Sequence, residues 1–135
     1  MTKPINSRMH GMLDYPAGLL LILAPFIFAF SDQSDAATAV PIVIGALILV
    51  MSLMTDYELG VARVIPMSMH VTADLGAGVL LAISPFVLGF SDEGLNCWLP
   101  HVIAGVGLVG AAALTQRRPA DDRDTSPAGR AYGAR

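Results

Sequence analysis

The chain has 135 residues, of which 54% are hydrophobic and only 14% are charged, and its mean hydropathy is +0.61. Soluble domains carry about 25% charged residues, so this composition indicates a membrane protein that is embedded in a lipid bilayer. The net charge of -3 gives no reason to expect nucleic acid as a partner, and the single cysteine, Cys97, excludes a framework of disulfides.

Four apolar runs follow one another along the chain. They cover residues 9–30, 37–54, 69–90 and 98–114. At about 1.5 Å per residue, the longer runs match a hydrocarbon core of roughly 30 Å. The sequence therefore predicts an all-α transmembrane protein, a four-helix bundle of TM1 to TM4.

The basic residues indicate the orientation of the chain. All eight lie before TM1, between TM2 and TM3, or after TM4, whereas the other two connections contain acidic residues and no Lys or Arg. Basic residues collect on the cytoplasmic side, so we expect both termini in the cytoplasm. Residues 1–8 then form a cytoplasmic N-terminus, 56–68 a cytoplasmic connector and 116–135 a disordered cytoplasmic tail. A cleaved signal peptide ending near Phe30 is a less favoured alternative, since that segment contains Asp14 and recurs later in the chain.

The chain repeats itself at a fixed offset. Residues 9–55 align with residues 69–115 without a gap, and 14 of the 47 aligned pairs are identical. Each copy is a two-helix hairpin, so it returns the chain to the side of the membrane where it began. We therefore predict two parallel repeats related by a pseudo-twofold axis along the membrane normal.

Polar and small residues share one face of TM1 and the matching face of TM3. The residues in question are His10, Asp14, Gly18 and Pro25 on TM1, and His70, Asp74, Gly78 and Pro85 on TM3. Polar groups turn inward in membrane bundles, and small residues allow close helix packing. We therefore expect TM1 and TM3 to meet across the pseudo-axis, with Gly18 facing Gly78 and the His/Asp pairs close together.

The two His/Asp pairs are the candidate site. His10 and Asp14, like His70 and Asp74, have the i,i+4 spacing that allows a hydrogen bond on a helix. Three interpretations remain open. The favoured one is structural: pairing, or capping of the nearby helix N-termini by the carboxylates. The second is a proton or ion site, because histidine titrates near neutral pH. The third is a site for a divalent metal or a haem; the sequence itself requires no cofactor.

Proline and glycine are expected to shape the helices. Pro25 and Pro85 fall late in TM1 and TM3, where a proline kinks or ends a helix. Gly45 and Gly105 occupy matching positions in TM2 and TM4 and are predicted helix-packing residues, as is Gly107 together with Ala111.

Two residues at the outer end of TM4 have no matching residue type in the first repeat. His101 stands where the first repeat has Pro41, and we expect it to lie at the membrane interface, with contact to a quinone or haem as the alternative. Cys97 is predicted to lie outside and unpaired.

The doubled pattern resembles a known family. Each copy has His-x3-Asp, then a glycine, then a Pro-aromatic step: Ala24-Pro25-Phe26 in the first copy and Ser84-Pro85-Phe86 in the second, and the first copy is followed by Thr55-Asp56-Tyr57-Glu58. The pattern over residues 9–115 is similar to that of the SPW-repeat integral membrane proteins, although neither copy has the tryptophan of the Ser-Pro-Trp motif. The resemblance implies a multi-pass protein of the bacterial plasma membrane with four helices in two repeats, and it brings no catalytic residues.

Three classes of function remain open at this point. The favoured one is a membrane scaffold or accessory subunit, as a homo-oligomer or bound to another membrane protein, because the helices have small-residue faces and the chain has no large soluble domain. The alternative is ion or proton conduction through the His/Asp cluster. A membrane enzyme or redox protein is least favoured, since the sequence has neither a CxxC motif nor a nucleophile–base arrangement.

Overall fold

The computed structural model describes residues 3–117, which form four α-helices. These are α1 (Ser7–Ile27), α2 (Asp35–Met54), α3 (Met67–Val87) and α4 (Leu95–Leu114). Each has 20 or 21 residues and is apolar enough to cross a membrane, and this length corresponds to about 30 Å of helix. The prediction of an all-α bundle of four transmembrane helices is confirmed. Most of the tail predicted at 116–135 lies outside the described residues.

The ends of the helices follow from local side-chain chemistry. Asn6 precedes α1 and its side chain accepts a hydrogen bond from the backbone N–H of Met9 at 2.8 Å, which satisfies one of the free N–H groups of the first turn. Pro25 and Pro85 lie in the last turns of α1 and α3. The chain then turns through left-handed residues, Ala29 with φ 53° and Gly89 with φ 75°, which is a common way for a helix to end.

Close packing occurs within each repeat, α1 against α2 and α3 against α4. A Cβ atom added at Gly45 would lie 2.5 Å from the carbonyl oxygen of Gly18, and one added at Gly105 would lie 2.6 Å from that of Gly78. The expectation that Gly18 faces Gly78 is therefore wrong. Each glycine meets the glycine of its own hairpin, because the short connection makes the two helices of a hairpin direct neighbours. An added Cβ at Gly107 would have nothing within 4 Å, so its predicted packing role is also wrong within the described chain.

Backbone hydrogen bonds join the segments that flank the two repeats: one lies between α2 and α3, and the other joins the segment after α4 to the segment before α1. The backbone N–H of Asp56 donates to the carbonyl of Ile65 at 2.7 Å, and that of Gln116 donates to the carbonyl of Ile5 at 2.8 Å. These two contacts are equivalent at the offset that relates the repeats. They place both ends of the described chain at the same end of the bundle, and they extend the structural repeat beyond residues 9–115.

The interior consists of three apolar layers along the bundle. The middle layer contains Leu21, Ile44, Ile48 and Leu81. The layer next to the helix connections 28–34 and 88–94 contains Ala24, Phe30, Ala37, Phe90 and Cys97, and the layer at the opposite end contains Tyr57, Met67, Val71 and Ala112. Large apolar side chains also cover the outward faces of all four helices, as expected for a surface in contact with lipid tails.

Candidate functional site

Four polar side chains meet in the interior beside the layer that contains Tyr57. His10 and Asp14 come from α1, and His70 and Asp74 come from α3. One ligand atom from each of the four lies within 4.8 Å of the others, and no residue of the set is more than 3% exposed. We refer to these four residues as the His/Asp cluster. The structure thus brings together the residues that the sequence singled out, although α1 and α3 do not pack along their lengths.

The closest contact in the cluster runs between the repeats. His10 Nε2 lies 2.8 Å from Asp74 Oδ2 but 3.4 Å from Asp14 Oδ1 on its own helix. His70 Nε2 lies 3.1 Å from Asp14 Oδ2 and 3.0 Å from Asp74 Oδ2. Each imidazole therefore faces both carboxylates, and the i,i+4 spacing seen in the sequence accounts for only part of the arrangement.

The carboxylates do not cap helices, contrary to one of the structural interpretations. The capping side chain of α1 is Asn6, and α3 begins after Pro66 with no side-chain cap. Asp14 and Asp74 are each the eighth residue of their helix, where the backbone N–H groups already have helical partners. Of the structural interpretation, the geometry therefore supports the pairing of histidine with aspartate and not the capping of helices.

Two threonines, which the sequence analysis did not place in the site, hold the other nitrogen of each imidazole. Thr115 Oγ1 lies 2.8 Å from His10 Nδ1, and Thr55 Oγ1 lies 2.7 Å from His70 Nδ1. The threonine hydroxyl protons are already committed, since each donates to the carbonyl four residues earlier, at 2.6 Å in both cases. Each hydroxyl can therefore only accept from its histidine. The sequence did carry a signal for this role, because Thr55 and Thr115 are identical at the repeat offset.

The threonine contacts determine which histidine nitrogens face the carboxylates. Because Nδ1 of His10 and of His70 must donate, a neutral imidazole in either place has a bare lone pair on Nε2. That lone pair would point at negatively charged oxygen atoms and be repelled. The arrangement is therefore complementary to positive charge at its centre, which either protons on the Nε2 atoms or a metal ion would supply.

Two buried polar atoms have no hydrogen-bond partner among the described residues: His70 Nε2 in the cluster itself and Tyr57 Oη beside it. The oxygens near His70 Nε2 are close enough for a hydrogen bond but poorly aligned with its N–H direction. Tyr57 packs against Gly11 and its ring lies 6.1 Å from that of His70. Burial raises the pKa of the Tyr57 hydroxyl above its ordinary value. On the other side, the Ser52 hydroxyl donates to Asp14 Oδ2 at 3.3 Å.

His101 lies at the opposite end of the bundle and is buried, so the expectation of an interfacial position is wrong. Its nitrogens lie 2.8 Å from the carbonyl oxygen of Cys97 and 3.0 Å from that of Ala37. The rings of Phe30 and Phe90 lie 5.2 and 4.9 Å away.

The physical reason for this position is Pro41. In an α-helix, the N–H of residue 41 would donate to the carbonyl of Ala37, but residue 41 is a proline and has no N–H. His101, in the tautomer with its proton on Nε2, reaches across from α4 and donates to the Ala37 carbonyl in place of that missing N–H. Cys97, which the sequence placed outside, is also fully buried.

A serine performs a similar task in the second repeat. Pro85 leaves the carbonyl of Leu81 without its helical partner, and the Ser84 hydroxyl donates to that carbonyl at 2.8 Å. The first repeat has Ala24 at this position. The Ser-Pro step therefore has a local structural function that needs no aromatic partner.

An apolar groove of about 680 Å³ separates α1 from α4. Large apolar side chains form most of its lining, and small residues on both helices lie among them: Ala17, Ala104, Gly107 and Ala111. Asp14 of the His/Asp cluster lies at one end of the groove and His101 at the other. The unpacked face of Gly107 therefore borders space that the described chain leaves unfilled.

Comparison with known proteins gives a clear family assignment. The family model described as SPW repeat domain matches residues 8–115. The match includes the whole His/Asp cluster and all four helices except Ser7, the first residue of α1. No curated protein and no solved structure matches the sequence. The chain is thus a small multi-pass membrane protein, and it belongs to the SPW repeat family.

Proposed function

We propose that this protein is a membrane scaffold or accessory subunit that assembles with a second copy of itself or with another membrane protein. The groove between α1 and α4 is the observation that carries the proposal. Its small residues would allow the backbone of a partner helix to approach closely, which is how helices associate in lipid. The packing that Gly107 lacks within the described chain would then be supplied by the partner.

The interior of the bundle supports this role over transport. Between the His/Asp cluster and His101, the middle of the bundle is filled by Leu21, Ile44, Ile48 and Leu81. Among the described residues, no buried Asp, Glu, Lys, Arg or His lies between these two sites. A proton or ion crossing the bundle would need polar groups or water along this path, because hydrocarbon does not solvate charge.

We further propose that both ends of the chain face the cytoplasm of a bacterial cell. In the structure, exposed Arg63 and Arg117 are near the end of the bundle that contains the His/Asp cluster, and the opposite connections carry exposed Asp32, Asp92 and Glu93. This charge asymmetry supports the orientation through the preference of basic residues for the cytoplasmic side.

The scaffold proposal is tested by the mass of the complex. The full-length protein, extracted in mild detergent, is measured by native mass spectrometry as wild type, Gly107→Leu and Gly110→Leu. Both glycines have open space around an added Cβ, but only Gly107 lines the groove. We expect wild type to be a homo-oligomer or a defined complex, Gly107→Leu to lose the partner, and Gly110→Leu to retain it. A wild type that is monomeric and without a partner, in detergent and in nanodiscs alike, would refute the proposal.

Proton or ion conduction is the second candidate, and one observation favours it: Asp14 borders the groove, so the cluster has a lateral opening. The measurement is proton flux into liposomes that contain the wild type, Asp14→Asn or Asp74→Asn. The scaffold proposal expects no flux above that of empty liposomes. A flux that both substitutions abolish would instead establish conduction.

A further inference from the structure

We propose that the His/Asp cluster is a binding site for one divalent transition-metal ion, and that Zn²⁺ suits its donor set best. The proposal is independent of the scaffold function, since a metal could occupy this site whether or not the bundle has a partner. It rests on the donor atoms, their spacing, the threonine contacts and the charge of the cluster.

The donor set is two imidazole nitrogens and two carboxylates. Imidazole favours zinc, iron, nickel and copper, and a buried set of four nitrogen and oxygen donors suits a four-coordinate ion. The Nε2-to-oxygen distances in the cluster are 2.8, 3.0, 3.1 and 3.4 Å. A tetrahedral zinc ion with bonds of about 2.0–2.1 Å would have its ligand atoms ~3.3 Å apart. The side chains therefore need to move by only a few tenths of an ångström at most of these nitrogen–oxygen contacts, while the most widely separated ligand atoms, within 4.8 Å of one another, must approach further.

The threonines prepare the histidines for a metal. A ligating histidine ordinarily donates its second N–H to a fixed oxygen, which sets the tautomer and the ring orientation. Thr115 and Thr55 supply such an oxygen to His10 Nδ1 and His70 Nδ1, and their own protons are directed elsewhere. Both Nε2 atoms are thereby left to bind a metal, and each lies within 3.4 Å of a carboxylate oxygen from both aspartates.

The charge of the cluster also matches a divalent ion. Two carboxylates and two neutral imidazoles carry a charge of −2, which one M²⁺ ion neutralises. Neutrality matters because the four residues are buried in a segment that crosses the membrane, where unbalanced charge is costly. His70 Nε2 is a further indication of a ligand: it is fully buried, 3.1 Å from Asp14 Oδ2 and 3.0 Å from Asp74 Oδ2, yet it makes no aligned hydrogen bond among the described residues.

Protons on both histidines would balance the charge equally well. An experiment must therefore distinguish a cluster that binds a metal ion from a metal-free cluster with two protonated histidines. Full-length protein in detergent is freed of metal with a chelator and titrated with Zn²⁺. Metal content is then measured by elemental analysis after gel filtration. We expect one zinc ion per chain. Substitution by Co²⁺ is expected to produce the visible absorption of a four-coordinate site.

Variants connect the metal to these residues. Asp14→Asn and Asp74→Asn should lower the zinc affinity by at least about 10-fold, and Thr115→Val, which leaves the ligands in place, should lower it by about 10- to 100-fold. His101→Gln changes a buried histidine of the same bundle outside the cluster, and its zinc affinity should equal that of the wild type. Helix content by circular dichroism checks that each variant is folded.

Two results would overturn the proposal. The first is wild-type protein that is folded yet retains no stoichiometric metal at micromolar Zn²⁺, which would identify the cluster as a proton-balanced ion-pair network. The second is a loss of affinity in His101→Gln as large as that in Asp14→Asn. Because both readouts are metal binding, they are distinct from the complex mass that tests the scaffold function.

Discussion

Replacement of His101 by phenylalanine is expected to destabilise the bundle by an amount that depends on residue 41. In the wild type, His101 Nε2 is the group that satisfies the Ala37 carbonyl, because Pro41 has no N–H. Phenylalanine keeps a ring between Phe30 and Phe90 but cannot donate. In a Pro41→Ala background, the new N–H of residue 41 can take the Ala37 carbonyl instead.

The magnitude follows from the cost of one unpaired buried acceptor, about 1–3 kcal/mol. The Cys97 carbonyl adds little to this cost, since the backbone N–H of residue 101 remains as its helical partner. We therefore expect His101→Phe to lower the free energy of unfolding by about 1–3 kcal/mol with Pro41 present. In the Pro41→Ala background the loss should be smaller, by a coupling energy of about 1–2 kcal/mol.

The assay is a double-mutant cycle of reversible unfolding in mixed detergent and SDS, followed by far-UV circular dichroism. Any steric strain from the larger phenylalanine ring is common to both backgrounds and cancels in the cycle. Equal losses in the wild-type and Pro41→Ala backgrounds would refute the reasoning, because they would show that His101 does not act through the Ala37 carbonyl.

Three further predictions concern the cluster, the hairpins and the orientation. Thr55→Val removes the acceptor of His70 Nδ1 at nearly constant shape and should lower the free energy of unfolding by about 1–3 kcal/mol. Gly45→Ala places a Cβ atom 2.5 Å from the Gly18 carbonyl oxygen, so α1 and α2 must separate, at a cost of about 1–3 kcal/mol in the same assay. In a Cys97→Ser background, a cysteine replacing exposed Asp92 should react with a membrane-impermeant maleimide on intact cells, whereas one replacing Arg63 should react only after permeabilisation.

The two stability predictions have matched controls. Thr72 is exposed and donates to the Ser68 carbonyl at 2.8 Å without contacting a histidine, so Thr72→Val should cost less than about 0.5 kcal/mol. Gly110 has open space around an added Cβ and lies outside the groove, so Gly110→Ala should be neutral or stabilising by up to ~1 kcal/mol. Equal losses in Thr55→Val and Thr72→Val, or in Gly45→Ala and Gly110→Ala, would contradict the assigned contacts. Labelling of position 63 but not 92 on intact cells would reverse the orientation.

The four helices could be predicted from the sequence because a lipid environment leaves few choices. Backbone polar groups in hydrocarbon must be satisfied within the segment, so an apolar run of about 20 residues forms a helix. The fixed offset between residues 9–55 and 69–115 then related the two hairpins without any knowledge of contacts. It also indicated that the His10–Asp14 and His70–Asp74 pairs are equivalent, and the structure places them together.

The partners of these residues were decided by tertiary structure. Thr115 lies 105 residues from His10 in sequence, and His101 lies 64 residues from Ala37; helical periodicity carries no information at such separations. The glycines illustrate the same limit. Gly18 and Gly78 are buried together with the His/Asp pairs of their helices, but whether Gly18 meets Gly78 or Gly45 depends on which helices become neighbours.

The amino-acid sequence was enough to establish that this is a membrane protein, that its four helices belong to two repeats and that Asp14 and Asp74 lie inside the apolar runs. Those properties follow from hydropathy and periodicity, which are local or regular along the chain. The packed bundle was needed to see that each histidine of the cluster donates to a threonine of the other repeat and that His101 supplies the hydrogen bond missing at Pro41. These contacts depend on how rigid helices pack, and packing is a property of the whole bundle rather than of any segment.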